Sequence, residues 1–159
     1  MYNKKSRIEL QKSLNKEAFK RITCSFYKYC SIDNLDDFRD ELYVDLKKLD
    51  ILGRIYVSKE GINAQISIPE HSLDSFKNYI HSFDIFNDVK FKNAFEEGVS
   101  FLKLKILVRD EIVAYKVPID SYDMNKTGIH LNPIDFNRSI KDKDSVIVDM
   151  RNYYESEVG

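Results

Sequence analysis

The sequence predicts an α+β sandwich in which two helices cover one face of an antiparallel sheet. Three observations carry that expectation. The spacing of apolar residues switches between the strand period and the helix period in the order strand, helix, strand, strand, helix, strand. A short Lys59-Glu60-Gly61 turn joins the two central strands. The 159 residues are 43% apolar and 13% aromatic, enough to bury a core. With one extra strand at its end, this order is the split βαβ, ferredoxin-like (acylphosphatase-like) arrangement, which leaves the second face of its sheet open.

Residues 1–20 are polar and weakly periodic, and read as a flexible lead-in or a loose helix. From Arg21, Ile22, Cys24 and Phe26 alternate with Thr23, Ser25 and Tyr27, the pattern of a half-buried strand. Asn34 is placed to cap a helix in which Leu35, Phe38, Leu42, Leu46 and Leu49 form one stripe and acids fill the first turns. Gly53 follows that helix and suits a left-handed cap. A strand over Arg54 to Ser58 and another over Ile62 to Ile68 make a hairpin that Pro69 ends. Ser72 then caps a helix striped by Leu73, Phe76, Ile80 and Phe83. Strands are expected near Val89 to Phe91 and over Phe101 to Val108.

Between Tyr115 and Lys143 the chain carries Pro118, Gly128, Pro133 and many Asn and Asp, the composition of a linker. Asn132-Pro133-Ile134-Asp135 reads as a helix start, with an N-cap, Pro at the first position and an acid in the first turn. Val146-Ile147-Val148 is a short apolar run of the kind found in buried parallel strands. The expected organisation is a lead-in over 1–20, a ferredoxin-like domain over 21–115, a linker over 116–131 and the opening of a second domain over 132–159.

Charge excludes some classes of function. With 25 basic and 26 acidic side chains the formal net charge is −1, so bulk attraction to nucleic acid or membrane is absent and any RNA contact has to be a local patch. The charge is uneven: residues 1–28 hold eight Lys or Arg against two Glu, whereas Asp33 to Asp50 hold seven acids against three bases. A frayed basic terminus and a solvated helix face account for both. Cys24 and Cys30, the only cysteines, have neither CxxC nor zinc-knuckle spacing and read as free thiols. The start lacks an apolar signal region and no apolar stretch of about 18 residues occurs, so a cytoplasmic, reducing location is expected, with no membrane partner.

The alternation that buries Ile22, Ile55 and Ile66 turns Thr23, Ser25, Tyr27, Arg54, Tyr56, Ser58, Asn63, Gln65 and Ser67 outward. Tyr27, Arg54 and Tyr56 on such a face can stack bases and hydrogen-bond their edges, although an ordinary polar face or a seat for the second domain fits the same pattern. Lys103, Lys105 and Arg109 project on one side at even spacing, a stripe able to follow a phosphate backbone or to guard an edge strand against aggregation. His71, His81 and His130 lie on separate segments with no acids arranged around them. The loop after the first strand, Phe26 to Ser31, contains no glycine or arginine, which excludes acylphosphatase activity. No Gly-rich nucleotide loop, zinc spacing or Ser/His/Asp set is present.

Four segments, Ser25 to Tyr29, Gly53 to Ser67, Lys105 to Val113 and Val148 to Gly159, together resemble the bacterial rhodanese-like tRNA uridine hydroxylases. The Glu60-Gly-Ile-Asn-Ala-Gln65 turn and the run from Asp149 are the specific parts. The resemblance implies a ferredoxin-like domain followed by a rhodanese-like domain whose loop presents one cysteine. It also implies hydroxylation of the wobble uridine of tRNA at carbon 5, with molecular oxygen as co-substrate and no cofactor identified. On this resemblance Asp149 and Arg151 end the first rhodanese strand, where they hold structure, and Glu155 leads into the loop. The loop cysteine is then expected beyond Gly159, so the chain supplies no catalytic residue and is expected to be inactive by itself. A rhodanese-type sulfurtransferase and a non-catalytic RNA-binding or docking module are the rival readings.

Overall fold

A computed structural model of the chain describes residues 5–94, 101–112, 121, 123, 126, 128–151 and 153–157. The chain divides into two compact units, Met1–Met124 and Asn125–Gly159.

In the first unit the elements run α1 (Arg7–Leu14), β1 (Arg21–Tyr29), α2 (Leu35–Lys48), β2 (Leu52–Ser58), β3 (Gly61–Pro69), α3 (Leu73–His81), β4 (Lys92–Ala94) and β5 (Leu104–Val108). The five strands form one sheet in the order β4-β1-β3-β2-β5. All neighbours are antiparallel except β2 and β5, which run parallel. The β4-β1-β3-β2 part is the ferredoxin-like order, and β5 is the extra strand added at the β2 edge.

The core lies between the sheet and α2 and α3. Cys24 and Phe26 of β1, Ile55 and Val57 of β2, Ile62, Ala64, Ile66 and Ile68 of β3 and Ile106 of β5 bury against Leu42 and Leu46 of α2 and Phe76 and Ile80 of α3. Phe26, Phe76 and Phe91 meet in tilted and edge-on pairs 5.4 to 6.1 Å apart, geometries that aromatic quadrupoles favour.

Several local expectations are corrected. Gly53 is not the helix cap: it lies inside β2 with φ 142, and a Cβ there would stand 2.4 Å from the Gln65 carbonyl oxygen. The left-handed turn after α2 falls to Asp50, at φ 53. Asn34 and Ser72 occupy N-cap positions without a side-chain capping bond, because Asn34 is itself left-handed and Ser72 closes a short 3-10 turn, Glu70–Ser72. The fourth strand forms at Lys92–Ala94 rather than Val89 to Phe91; Phe91 instead turns into the aromatic cluster. The fifth strand begins at Leu104, three residues later than expected. In the lead-in, α1 is a defined helix with a Ser6/Glu9 capping box, yet it buries no residue.

In the second unit, α4 (Pro133–Ser139) starts as expected, with the Asn132 side chain accepting from the Ile134 and Asp135 backbone N–H groups. Val146-Ile147-Val148 does not form the expected strand: the run is exposed and has no strand partner among the described residues, and a strand cannot exist without a ladder. A single helical turn, α5 (Tyr153–Ser156), follows. Pro118 and most of the expected linker lie outside the described residues.

Candidate nucleic-acid interface

The outer face of the sheet is built by strand alternation. Because Cys24, Phe26, Ile55, Ala64 and Ile66 point to the helices, the residues between them point away. Register sets these side chains in rows: Ser25 pairs with Gln65, Gln65 with Arg54 and Arg54 with Lys105, while Tyr27 pairs with Asn63, Asn63 with Tyr56 and Tyr56 with Leu107. Tyr27 is 57% exposed, and its ring stands edge-on to Tyr29 with centroids 6.4 Å apart.

The face is less open than the alternation suggests, since Ser58 and Ser67 are buried. Two tethers account for this. Arg21, outward on β1, donates to the backbone oxygens of Asp50 at 2.9 Å and Ser67 at 3.3 Å and pairs with Glu17 at 2.7 Å. At the opposite end the chain beyond β5 returns across the sheet. Glu60 accepts from the Ile112 backbone N–H at 2.7 Å, and Asn63 donates to the Ile112 carbonyl at 3.4 Å. Ile112 is thereby buried outside the main core. Glu60 is only 2% exposed, and its own carbonyl accepts from Cys30 N–H at 3.0 Å. Sequence reasoning placed this glutamate in the turn between the two central strands and assigned it no partner. The one available signal was the adjacent Gly61, where a Cβ would meet the Lys28 carbonyl oxygen at 2.0 Å and mark a close crossing of strands.

The basic stripe occupies the edge of the sheet. Lys105 is exposed within β5, opposite Arg54. Lys103 precedes the strand and its carbonyl accepts from Gly53 N–H at 3.0 Å. Arg109 follows it, with its backbone N–H donating to Val57 and its guanidinium 5.7 Å above the Tyr56 ring, a cation–π placement. The structure therefore brings Arg54, Tyr56, Lys105 and Arg109 together, with Tyr27 two strands away on the same face.

The remaining candidates do not converge on a reactive centre. Burial pushes the Cys24 thiol up to about 11 and raises Cys30 as well, so neither supplies a thiolate near neutral pH. In the loop after β1 the N–H groups of Cys30 and Ile32 donate to the Glu60 and Lys59 carbonyls, which leaves them unavailable to cradle an anion. His71 packs edge-on to Phe19, and His81 Nε2 donates to the Val89 carbonyl at 3.0 Å. His130 is exposed. No group of three metal-ligating side chains occurs among the described residues. In the second unit Arg151 bonds Asp149 at 2.8 Å and holds its carboxyl down at about 2, a local pair two residues apart. The Glu155 side chain lies outside the described residues.

Topology and outer face together define a ferredoxin-like domain in which a polar sheet face is flanked by an edge strand that carries Lys105 and is bracketed by Lys103 and Arg109. The chain belongs to the family described as UPF0176 acylphosphatase like domain, whose model matches residues 21–112. Three similar curated proteins are each named tRNA uridine(34) hydroxylase. That of Leptospira interrogans is 45% identical over 151 residues, covering 94% of this chain and 41% of the relative. That of Photorhabdus laumondii is 41% identical over 161 residues, covering 100% and 46%. That of Buchnera aphidicola is 41% identical over 160 residues, covering 100% and 51%. The chain thus spans about half the length of the curated relatives it matches. Among the described residues no helix is long and apolar enough to cross a membrane.

Proposed function

We propose that this chain is the tRNA-facing portion of a tRNA-modifying enzyme that hydroxylates the wobble uridine at carbon 5, with molecular oxygen as co-substrate. The observation that carries the reading is 40–45% identity, over nearly the whole chain, to proteins named for hydroxylation of uridine 34 of tRNA. In this reading Lys103, Lys105 and Arg109 meet phosphates, Tyr27, Arg54 and Tyr56 meet bases, and residues 132–159 open a rhodanese-like domain whose cysteine nucleophile lies elsewhere. In this reading the two thiols present, whose pKa values burial raises, are not the nucleophile, and the chain by itself is expected to carry out no hydroxylation.

The test is genetic and chemical. Disrupting the gene that encodes the chain should remove 5-hydroxyuridine at tRNA position 34, as read by mass spectrometry of digested tRNA. A plasmid copy of the undisrupted gene should restore it, and one encoding only these 159 residues should not. Loss of a thiolated uridine with hydroxyuridine intact would instead favour the sulfurtransferase reading.

A further inference from the structure

Between the Arg21 tether and the Ile112 tether the described residues of the outer face form a single row, with one residue from each strand. Lys92 of β4 pairs with Ser25 of β1, Ser25 with Gln65 of β3, Gln65 with Arg54 of β2 and Arg54 with Lys105 of β5. All five point away from the helices by alternation, and all but Ser25 are exposed. Four strand intervals of ~4.8 Å set Lys92 and Lys105 about 19 Å apart on opposite edges. Along β3 the row sits midway between Ser67 and Asn63, which flank it at the two tethers and stand roughly 13 Å apart. No acid interrupts the row, and among the described residues Lys92, Arg54 and Lys105 take part in none of the ion pairs.

We propose that this row is the path of a single-stranded RNA segment that crosses the strands at right angles, with phosphates at the Lys92 and Lys105 edges and bases over Gln65 and Arg54. The proposal rests on the tRNA reading above and deepens it, because it assigns the second edge strand and names the unpaired part of the RNA as ligand. Cations at both ends, with the neutral Ser25 and Gln65 and a third cation, Arg54, between them, complement a polyanion whose bases can turn toward the sheet. A strip this narrow, bounded by a tether on each side, suits a strand with splayed bases rather than the broad minor groove of a duplex. Tyr27, one pleat along β1 from Ser25, offers its exposed ring as the stacking surface for a base next to the path.

The experiment uses the 159-residue chain with fluorescently labelled oligouridylate, an RNA duplex of equal length and polyglutamate, titrated by anisotropy over a series of salt concentrations. The chain should bind the single strand several-fold more tightly than the duplex and should not bind polyglutamate above background. Lys92→Ala and Lys105→Ala should each weaken single-strand binding and each lower the slope of log affinity against log salt by about 0.7. Gln65→Ala should weaken binding with the slope unchanged. Lys48→Ala, on α2, should change neither. Because these side chains are exposed, an unchanged melting temperature separates loss of binding from loss of fold. The proposal is overturned if the chain binds no RNA, if duplex binds as well as single strand, if polyglutamate binds equally, or if Lys92→Ala leaves affinity and slope intact. None of those outcomes alters the hydroxyuridine readout that tests the enzyme reading.

Discussion

Two residues show how tightly the first unit is specified. Cys24 is fully buried, and its thiol rises from an ordinary 9.0 to about 11 because the thiolate cannot be solvated there. A pKa raised on folding means that the neutral form stabilises the fold. That stability is complete below pH 9.0 and is lost as pH climbs toward about 11. The advantage of the natural protein over Cys24→Ala in urea unfolding should therefore shrink by on the order of 2 kcal/mol across that window. A pH-independent gap would show that the thiol does not titrate from the core. Gly53 is specified by geometry instead. With φ 142 and a Cβ position 2.4 Å from the Gln65 oxygen, Gly53→Ala should cost roughly 1–3 kcal/mol, seen as a lower urea midpoint at constant slope. The sequence displayed this glycine openly but not its reason: a glycine just beyond an amphipathic helix looks like a cap, and only the β2-β3 pairing reveals the close approach. Glu60 was hidden for the converse reason, since a charge in a hairpin turn reads as solvated until the returning chain places Ile112 N–H upon it.

At the scale of elements, the strands and helices that own a full apolar stripe were legible, and those defined by a neighbour were not. The α2 and α3 stripes and the β3 alternation all sit where periodicity puts them, because burial of one face decides both the period and the packing. By contrast β4 is three residues long, and its position follows from the register with β1 rather than from its own pattern. Val146-Ile147-Val148 has the composition of a buried strand but no ladder among the described residues, so its backbone amides should exchange with deuterium at nearly unprotected rates. Those of Ile62 to Ile68, paired on both sides by β1 and β2, should be the slowest in the chain. Comparable protection in the two segments would contradict this account. The α1 helix gives a complementary case: its Ser6/Glu9 capping box is complete but it buries nothing. Ser6→Ala should thus weaken the helix by about 1 kcal/mol and reduce far-UV helicity, while the melting temperature of the domain stays where it was.

For the whole molecule, a net charge of −1 means that affinity for a polyanion has to arise from where the cations sit rather than how many there are. The cationic edge was visible in the sequence as Lys103, Lys105 and Arg109, whereas Arg54 beside Lys105, and Arg109 over Tyr56, needed the parallel β2-β5 register to be seen. That register also divides the stripe by role. Lys103 and Lys105 are exposed, but the Arg109 guanidinium is already engaged with an aromatic ring and has less freedom to reach a phosphate. On the proposed tRNA reading, replacing all three by Ala should weaken binding of every tRNA alike, because phosphate contacts carry no sequence information. If all three touched phosphates of the single strand the salt slope would fall by about 2.1, at ~0.7 per contact; with Arg109 held on Tyr56 the expected fall is closer to ~1.4. Tyr27→Ala should behave differently, costing on the order of 1–3 kcal/mol of affinity with the slope unchanged, since a stacked base releases no counterions. Unaltered affinity and slope in the triple variant would leave the lysines only the role that an edge strand by itself requires, preventing β5 from pairing with another sheet.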